Sequence, residues 1–240
     1  MTQSKNSEFE MVFIYYNNPK MLEFQIAVWN TYPDHMEKLP SITLVDDGSN
    51  GISAESVVRQ NSCRLNMKLF QIEVDIPWNA AGARNLGCIE SKDWIYMSDI
   101  DTILEAEPVR KHFFERTLDT ECFYMTRRAI YGTEQEVKPH SSNMLIHKSA
   151  FLEVGGYEED YSGFYGKEDG DFWRRLMHRY KKVMCPDITA KVVNSRIVSD
   201  AVNRDLSRNV ERNNLIFEHR SKMHFPKPNR FLRFPWRRVF

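Results

Sequence analysis

Two aspartates one residue apart, Asp99 and Asp101, close an apolar run in the stretch WIYMSDIDTIL (94–104). In an extended chain alternate side chains share a face, so both carboxylates point one way and Ile100 the other. Like charges at that spacing repel; away from water they protonate or take up a cation that makes both anions tolerable. A second acidic pair, Asp46–Asp47, ends the run SITLVDDGSN (41–50), and a third, Glu168–Asp169, heads EDGDFWRRL. Around the first two pairs stand the parts of a nucleotide pocket. Tyr15 and Tyr16, ending MVFIYY (11–16), supply an aromatic wall, and Asp46 or Asp47 can accept from a base N–H. Arg84, in NAAGARNLG, lies at a loop–helix junction suited to phosphate or base contact. The first apolar run leads into NNPK instead of GxGxxG, and no GxxxxGK[ST] loop occurs, which ranks nicotinamide enzymes and P-loop NTPases low.

These residues need elements to position them. MVFIYY, SITLVDD, KLFQIEVDI (68–76) and WIYMSDIDTIL read as buried strands. Between them, KMLEFQIAVWNTY (20–32) carries Leu22, Ile26 and Trp29 at helical spacing and stops before Pro33; a short helix precedes the third strand; NAAGARNLGCIESK (79–92) is helix-permissive. Strand and helix alternate, the signature of an α/β fold with a mostly parallel central sheet flanked by helices, in which ligands collect beyond the carboxyl ends of the strands. Asp46–Asp47 and Asp99/Asp101 sit at such ends. Further on, PVRKHFFERTL (108–118) reads as helix and CFYMTRRAIYG (122–132) and NMLIHK (143–148) as strands. Residues 168–183 read as one amphipathic helix with Trp173, Leu176, Met177 and Tyr180 on its apolar stripe.

With 240 residues, 42% of them hydrophobic, the chain can build a real core, and the absence of repeats or low-complexity linkers favours one domain. The reading divides it into a polar leader (1–10), the main domain (11–219) and a basic aromatic tail (220–240). The 33 Lys and Arg balance the 33 Asp and Glu, so no nucleic-acid partner follows from total charge. Four scattered cysteines without a CxxC pair argue against a zinc ribbon or disulfide scaffold and fit a reducing, cytoplasmic setting. No apolar stretch reaches the length of a membrane span. The tail, with Arg and Lys but no acid, offers a peripheral membrane contact or packs on the domain.

In this order and spacing VDDGS, NAAGARNLG and SDID resemble the GT-A fold nucleotide-sugar glycosyltransferases, closest to the large inverting family two. GGYEEDYSGFYGKEDGDFWRRL (155–176) is similar to the GGY…ED segment of related galactosyl- and N-acetylgalactosaminyltransferases. The resemblance spans roughly residues 11 to 183. It implies a Rossmann-like single domain and a DxD pair, Asp99 and Asp101, holding Mn²⁺ or Mg²⁺ against the donor's diphosphate. Hard cations of this kind take oxygen ligands and keep phosphate oxygens in their shell. It further implies a third metal ligand from a histidine late in the domain, His219 or His224, with Asp169 as the base that deprotonates the acceptor hydroxyl and Glu168 holding an acceptor hydroxyl or orienting the loop. The implied reaction moves one sugar from a nucleoside-diphosphate donor, most simply a UDP-sugar, to a glycan or glycoconjugate. Lys167 precedes the acidic pair where an uncharged residue is common in that family.

Blander readings compete. Asp46 and Asp47 can serve an Asx turn at DDGS, one of the two tyrosines belongs to the core by strand alternation, and Glu168, Asp169 and Asp171 suit a helix N-terminus whatever their chemistry. A sugar nucleotidyltransferase, or an inactive carbohydrate-binding domain of the same fold, are the rival functions.

Overall fold

A computed structural model describes residues 8–33, 39–202, 206–228 and 230–240, without the His112 side chain. Of the expected leader, all but Glu8 to Glu10 lies outside these residues, and Phe9 and Glu10 already belong to the first strand.

The first half alternates as the sequence implies: β1 (Phe9–Tyr15), α1 (Pro19–Asn30), β2 (Ser41–Asp46), α2 (Ala54–Gln60), β3 (Met67–Ile72), α3 (Ala80–Glu90) and β4 (Trp94–Asp99). These strands pair in parallel in the order β3-β2-β1-β4, and helical crossovers are what join parallel neighbours. β2 is buried along its whole length, as a strand covered on both faces must be.

After β4 come β5 (Thr102–Ile103), a short α4 (Ala106–Val109) running into a π-helical turn (Arg110–Glu115), β6 (Cys122–Ile130), β7 (Glu136–Val137) and β8 (Met144–His147). They are followed by α5 (Lys148–Glu153), α6 (Glu168–Arg179), β9 (Lys181–Val192), α7 (Glu211–Lys222) and β10 (Trp236–Arg238). β8 joins β4 antiparallel, β6 joins β8 antiparallel, β9 runs parallel to β6, and β5 returns antiparallel on β9. The central sheet thus has a parallel Rossmann-like half, as expected, and a mixed remainder in which β6 and β9 are parallel and the other pairs antiparallel.

Two sequence expectations are corrected here, and of the two readings of the tail, packing on the domain is the one observed. The run 94–104 is not one strand: β4 stops at Asp99, and Ile100–Asp101 form a turn. The helix read over 168–183 ends at Arg179, and Lys181 begins β9. Its buried face carries Asp171, Phe172, Arg175 and Leu176, whereas Met177 is 45% exposed. Buried polar residues held by specific partners displaced the simple apolar stripe. Finally, the basic aromatic stretch is integrated into the sheet. β10 pairs antiparallel with β3, Phe234 is buried against α3, and the Val239 and Leu69 backbones bond across the same edge.

Two apolar layers flank the sheet. One gathers Phe13, Trp29, Leu44 and Trp94 beneath α1, and the other gathers Ile95, Phe123, Phe151, Tyr157 and Phe172 beneath α5 and α6. α3 lies so close on β1 and β2 that a Cβ at Gly87 would stand 2.5 Å from Val12 Cγ1 and 3.2 Å from Val45 Cγ2. Gly87→Leu keeps a good helix former but overfills this contact; it should lower unfolding stability by about 2–3 kcal/mol, read from the urea midpoint.

Candidate active site

The carboxyl ends of β1, β2 and β4 open into a cavity of about 540 Å³, a size suited to a small ligand. Tyr15, Tyr16 and Asp47 line it from the first two strands, Arg84 from α3, Asp99 and Asp101 from the end of β4, and Glu168 and Asp169 from the start of α6. Three acidic groupings far apart in sequence thus share one space.

Local chemistry separates residues that sequence treated alike. Asp46 is buried and spends one oxygen on the DDGS turn, accepting from Ser49 N at 2.9 Å, and the other on the start of α2, accepting from Ala54 N at 2.8 Å. It does not line the cavity, so its nucleotide role is withdrawn in favour of the Asx-turn reading. Asp47 does line it. Burial pushes its carboxyl well above the ordinary range, against the pull of the Asn79 amide that donates to Oδ1 at 3.0 Å. The turn between them needs Gly48: φ is +72° there, and a Cβ would stand 2.3 Å from the Val74 carbonyl oxygen. Tyr15 is fully buried in the core, with its hydroxyl donated to the Ile52 carbonyl. The ring available to a ligand is that of half-buried Tyr16, whose hydroxyl donates to Asp75 at 3.1 Å.

The DxD carboxylates differ sharply. Asp99 accepts from Arg84 Nη2 at 2.7 Å and from the Ser142 hydroxyl at 2.6 Å; Ser142 in turn lies 2.7 Å from His140 Nδ1. Burial works to raise the Asp99 carboxyl, but Arg84, His140 and the Ser142 hydroxyl outweigh it and hold it down at about 2. Asp101 accepts from the Thr102 hydroxyl at 3.3 Å, and burial with the charge of Asp99 pushes it up to about 7 against the pull of Arg128. Its turn is fixed from α1. The buried Gln25 amide donates to the carbonyls on either side, Ile100 at 2.9 Å and Thr102 at 2.7 Å.

Arg84 joins the two ends of the cavity. The same buried guanidinium that binds Asp99 donates to Asp169 Oδ1 at 3.1 Å and lies 3.6 Å from Glu168, over the Tyr157 ring. Sequence reading offered Arg84 to the nucleotide; its donors are instead committed to carboxylates. Burial and the adjacent Asp169 push Glu168 up to about 7 despite Arg84.

The loop before α6 is held from behind. The buried Asn213 amide on α7 donates to the carbonyls of Tyr161, Phe164 and Gly166 at 2.8–3.0 Å. Asp171, on the buried side of α6, receives Arg175 and Arg220, and Arg220 also pairs with Glu158. Glu159 accepts from Asn85 at 2.9 Å and from the backbone of Leu232 and Arg233.

The late histidines fall elsewhere. His219 is exposed on α7 and His224 is exposed in the turn after it, and neither lines the cavity; His140 is the histidine that does. Among the described residues no group of three His, Cys, Asp or Glu forms a cation cage. Asp99 and Asp101 nevertheless offer two hard oxygen donors whose mutual repulsion a cation relieves, and Mg²⁺-like ions are commonly held by one or two carboxylates plus substrate phosphates. The donor set fits such an ion.

Gln25, Ser142, His140, Arg128 and Asn213 were missed by sequence reading. Each is an isolated polar residue without a spacing pattern, identified only by what it touches.

Two outcomes follow. Arg84→Met leaves Asp99, Glu168 and Asp169 without their shared cation and should cost roughly 3 kcal/mol at pH 8, by chemical denaturation. Glu168 has a folded pKa of about 7 against an ordinary 4.5, so its stabilising contribution is complete below pH 4.5 and is lost as pH rises through 7. Glu168→Gln should therefore be more stable than wild type by on the order of 1–3 kcal/mol at pH 8, with the difference gone near pH 4.5.

Comparison with known proteins places this geometry. The family model described as glycosyltransferase-like family 2 matches residues 116–206, fewer than half of the 240. No curated protein sequence matches the chain. Among solved structures, residues 1–349 of TarS from S. aureus, also determined with UDP-GlcNAc, align with a TM-score of 0.58 at 13% identity, covering 91% of this chain and 72% of that one. The mannosyltransferase PcManGT from Pyrobaculum calidifontis, in complex with GDP-Man and Mn²⁺, aligns at 0.60 and 14% identity, covering 80% of this chain and 57% of its own. GalNAc-T7 with UDP, GalNAc and Mn²⁺ aligns at 0.64 and 12% identity over 94% and 56%. The chain thus spans little more than half of the last two. At such identities likeness establishes fold: the chain shares the GT-A fold of the nucleotide-sugar glycosyltransferases and carries the sequence pattern of glycosyltransferase-like family 2 across residues 116–206.

Proposed function

We propose that the chain is an inverting, metal-dependent glycosyltransferase that moves one sugar from a UDP-sugar to a hydroxyl of a glycan or glycoconjugate. The observation that carries this reading is Arg84, which ties the DxD carboxylate Asp99 to Asp169 and lies beside Glu168 across a single cavity. Direct displacement with inversion needs a site for the departing diphosphate and, on the opposite face of the sugar, a carboxylate for the acceptor proton.

Asp47 accepts from the base of the nucleotide and Tyr16 walls it. Asp99 and Asp101 hold Mn²⁺ or Mg²⁺, as the Mn²⁺ complexes of two fold relatives support. Bound there, the ion supplies Lewis-acid stabilisation of the charge that develops on the diphosphate. Gln25 and Ser142 keep the two carboxylates in place. Asp169 receives the proton of the attacking hydroxyl, and Glu168 orients that hydroxyl. Arg84 keeps Asp169 aligned until the acceptor arrives. Glu168 is the second candidate for the base, because its pKa of about 7 matches an operating pH near neutrality.

UDP with Mn²⁺ should raise the melting temperature, by about 2.7 kcal/mol of stabilisation at one hundred times its dissociation constant, and chelator should abolish the gain. GDP and CMP serve as comparisons. Persistence of the gain in the Asp99→Ala/Asp101→Ala double variant would overturn the metal assignment. Asp169→Asn should keep UDP binding while transfer, read by mass spectrometry, falls by roughly 10²–10⁴-fold. An active Asp169→Asn beside an inactive Glu168→Gln moves the base to Glu168.

A further inference from the structure

Arg128 is a cation of the cavity wall that no acid compensates. It stands on β6, reached from β4 by way of β8, and lines the cavity with Asp99, Asp101 and His140. Its charge reaches the Asp101 carboxyl and pulls it down, yet Arg128 enters no ion pair among the described residues. Its Nη1 donates to the Lys138 carbonyl at 3.3 Å, and its Nε is buried without a partner. The preceding Arg127, on the other face of the strand, is spent on Glu136. Unpaired buried donors are costly, and a bound group supplies what the fold does not.

The other cations of the wall are engaged where they stand. Arg84 is shared among Asp99, Glu168 and Asp169; Lys167 lies over the Phe217 ring, and Arg208 over the rings of Trp78 and Tyr165. A divalent ion held by Asp99 and Asp101 has its charge balanced by theirs, which leaves none over for an incoming phosphate anion. A diphosphate in this space needs a further cation, most of all as the sugar leaves and the terminal phosphate gains a charge. A guanidinium suits that task, because it presents paired N–H donors to phosphate oxygens.

We propose that Arg128 is a phosphate-binding residue, whose guanidinium takes the terminal phosphate of a nucleoside diphosphate and stabilises it as the leaving group. This rests on the glycosyltransferase reading above. With the base at Tyr16 and Asp47, beyond β1 and β2, the diphosphate extends across β4 towards β6. Of its two phosphates, the one farther from the base therefore comes to Arg128.

Calorimetric titration of uridine, UMP and UDP into the Mn²⁺-saturated protein tests this. Wild type should bind UDP more tightly than UMP. Arg128→Gln should weaken UDP about tenfold, equivalent to about 1.4 kcal/mol, and leave uridine and UMP within about threefold of wild type. Arg128→Lys keeps the charge without the fork and should weaken UDP about threefold; it carries the test if Arg128→Gln does not fold. An unchanged ratio of UDP to UMP affinity in the variants overturns the proposal. Equal weakening of all three ligands assigns Arg128 a structural role and overturns it too. Raising Mn²⁺ should not restore UDP binding to Arg128→Gln; restoration shows that Arg128 acts through the Asp101 carboxyl and the metal, and again overturns the proposal. Wild type that binds no UDP brings down the transferase reading together with this one, whereas wild type that binds UDP beside variants that match it brings down this one alone.

Discussion

The guanidinium of Arg84 is the constraint on which the site depends. Three carboxylates, contributed by the end of β4 and the start of α6, converge around it, and without a cation between them they would repel. Burial makes that repulsion expensive and the pairing specific. The helix that carries Arg84 can reach both partners because Gly87, one turn further on, lets α3 settle directly on β1 and β2. Packing, charge balance and the placement of the acids are thus one problem with one solution.

A second layer of buried amides fixes what charge alone leaves loose. Gln25 gathers the carbonyls flanking Asp101, Asn79 holds Asp47, and Asn213 gathers three carbonyls of the loop leading to Lys167 and Glu168. Gln25 and Asn213 satisfy backbone carbonyls that would otherwise be buried without partners, and so determine where a loop stops, while Asn79 satisfies a buried carboxylate. The loops around Asp47, Asp101 and the Glu168–Asp169 pair are thus hydrogen-bonded from behind.

Much of this was legible in the sequence, for identifiable reasons. Apolar runs of four to seven residues ending in Asp46 and Asp99 marked strand ends, and strand ends of an α/β sheet are where ligands gather. The second half of the sheet was harder. β9 begins Lys181-Lys182 and includes Pro186, so it lacks the apolar run that identifies a strand; its long pairing with β6 compensates. α7 exposes Leu215 and buries Asn213 and Arg220, the reverse of an amphipathic stripe, because it serves to carry those two polar anchors. The equivalence of Asp46 and Asp47 could not be broken by sequence, since a turn-forming and a ligand-facing carboxylate differ only in direction. The late histidines were chosen by position in the chain, and α7 turns His219 outward.

The stretch from Leu232 to Arg238 leaves the loop before α6, where Glu159 accepts from its backbone, and ends as the outermost strand beside β3. It crosses the molecule as a strap, with Phe234 inserted beneath α3 on the way. Neither half of the sheet can come apart without stripping hydrogen bonds and apolar cover from the other. Cooperativity is thereby written into the connectivity: two halves of the sheet that are distinct in topology are tied into one unit expected to unfold together.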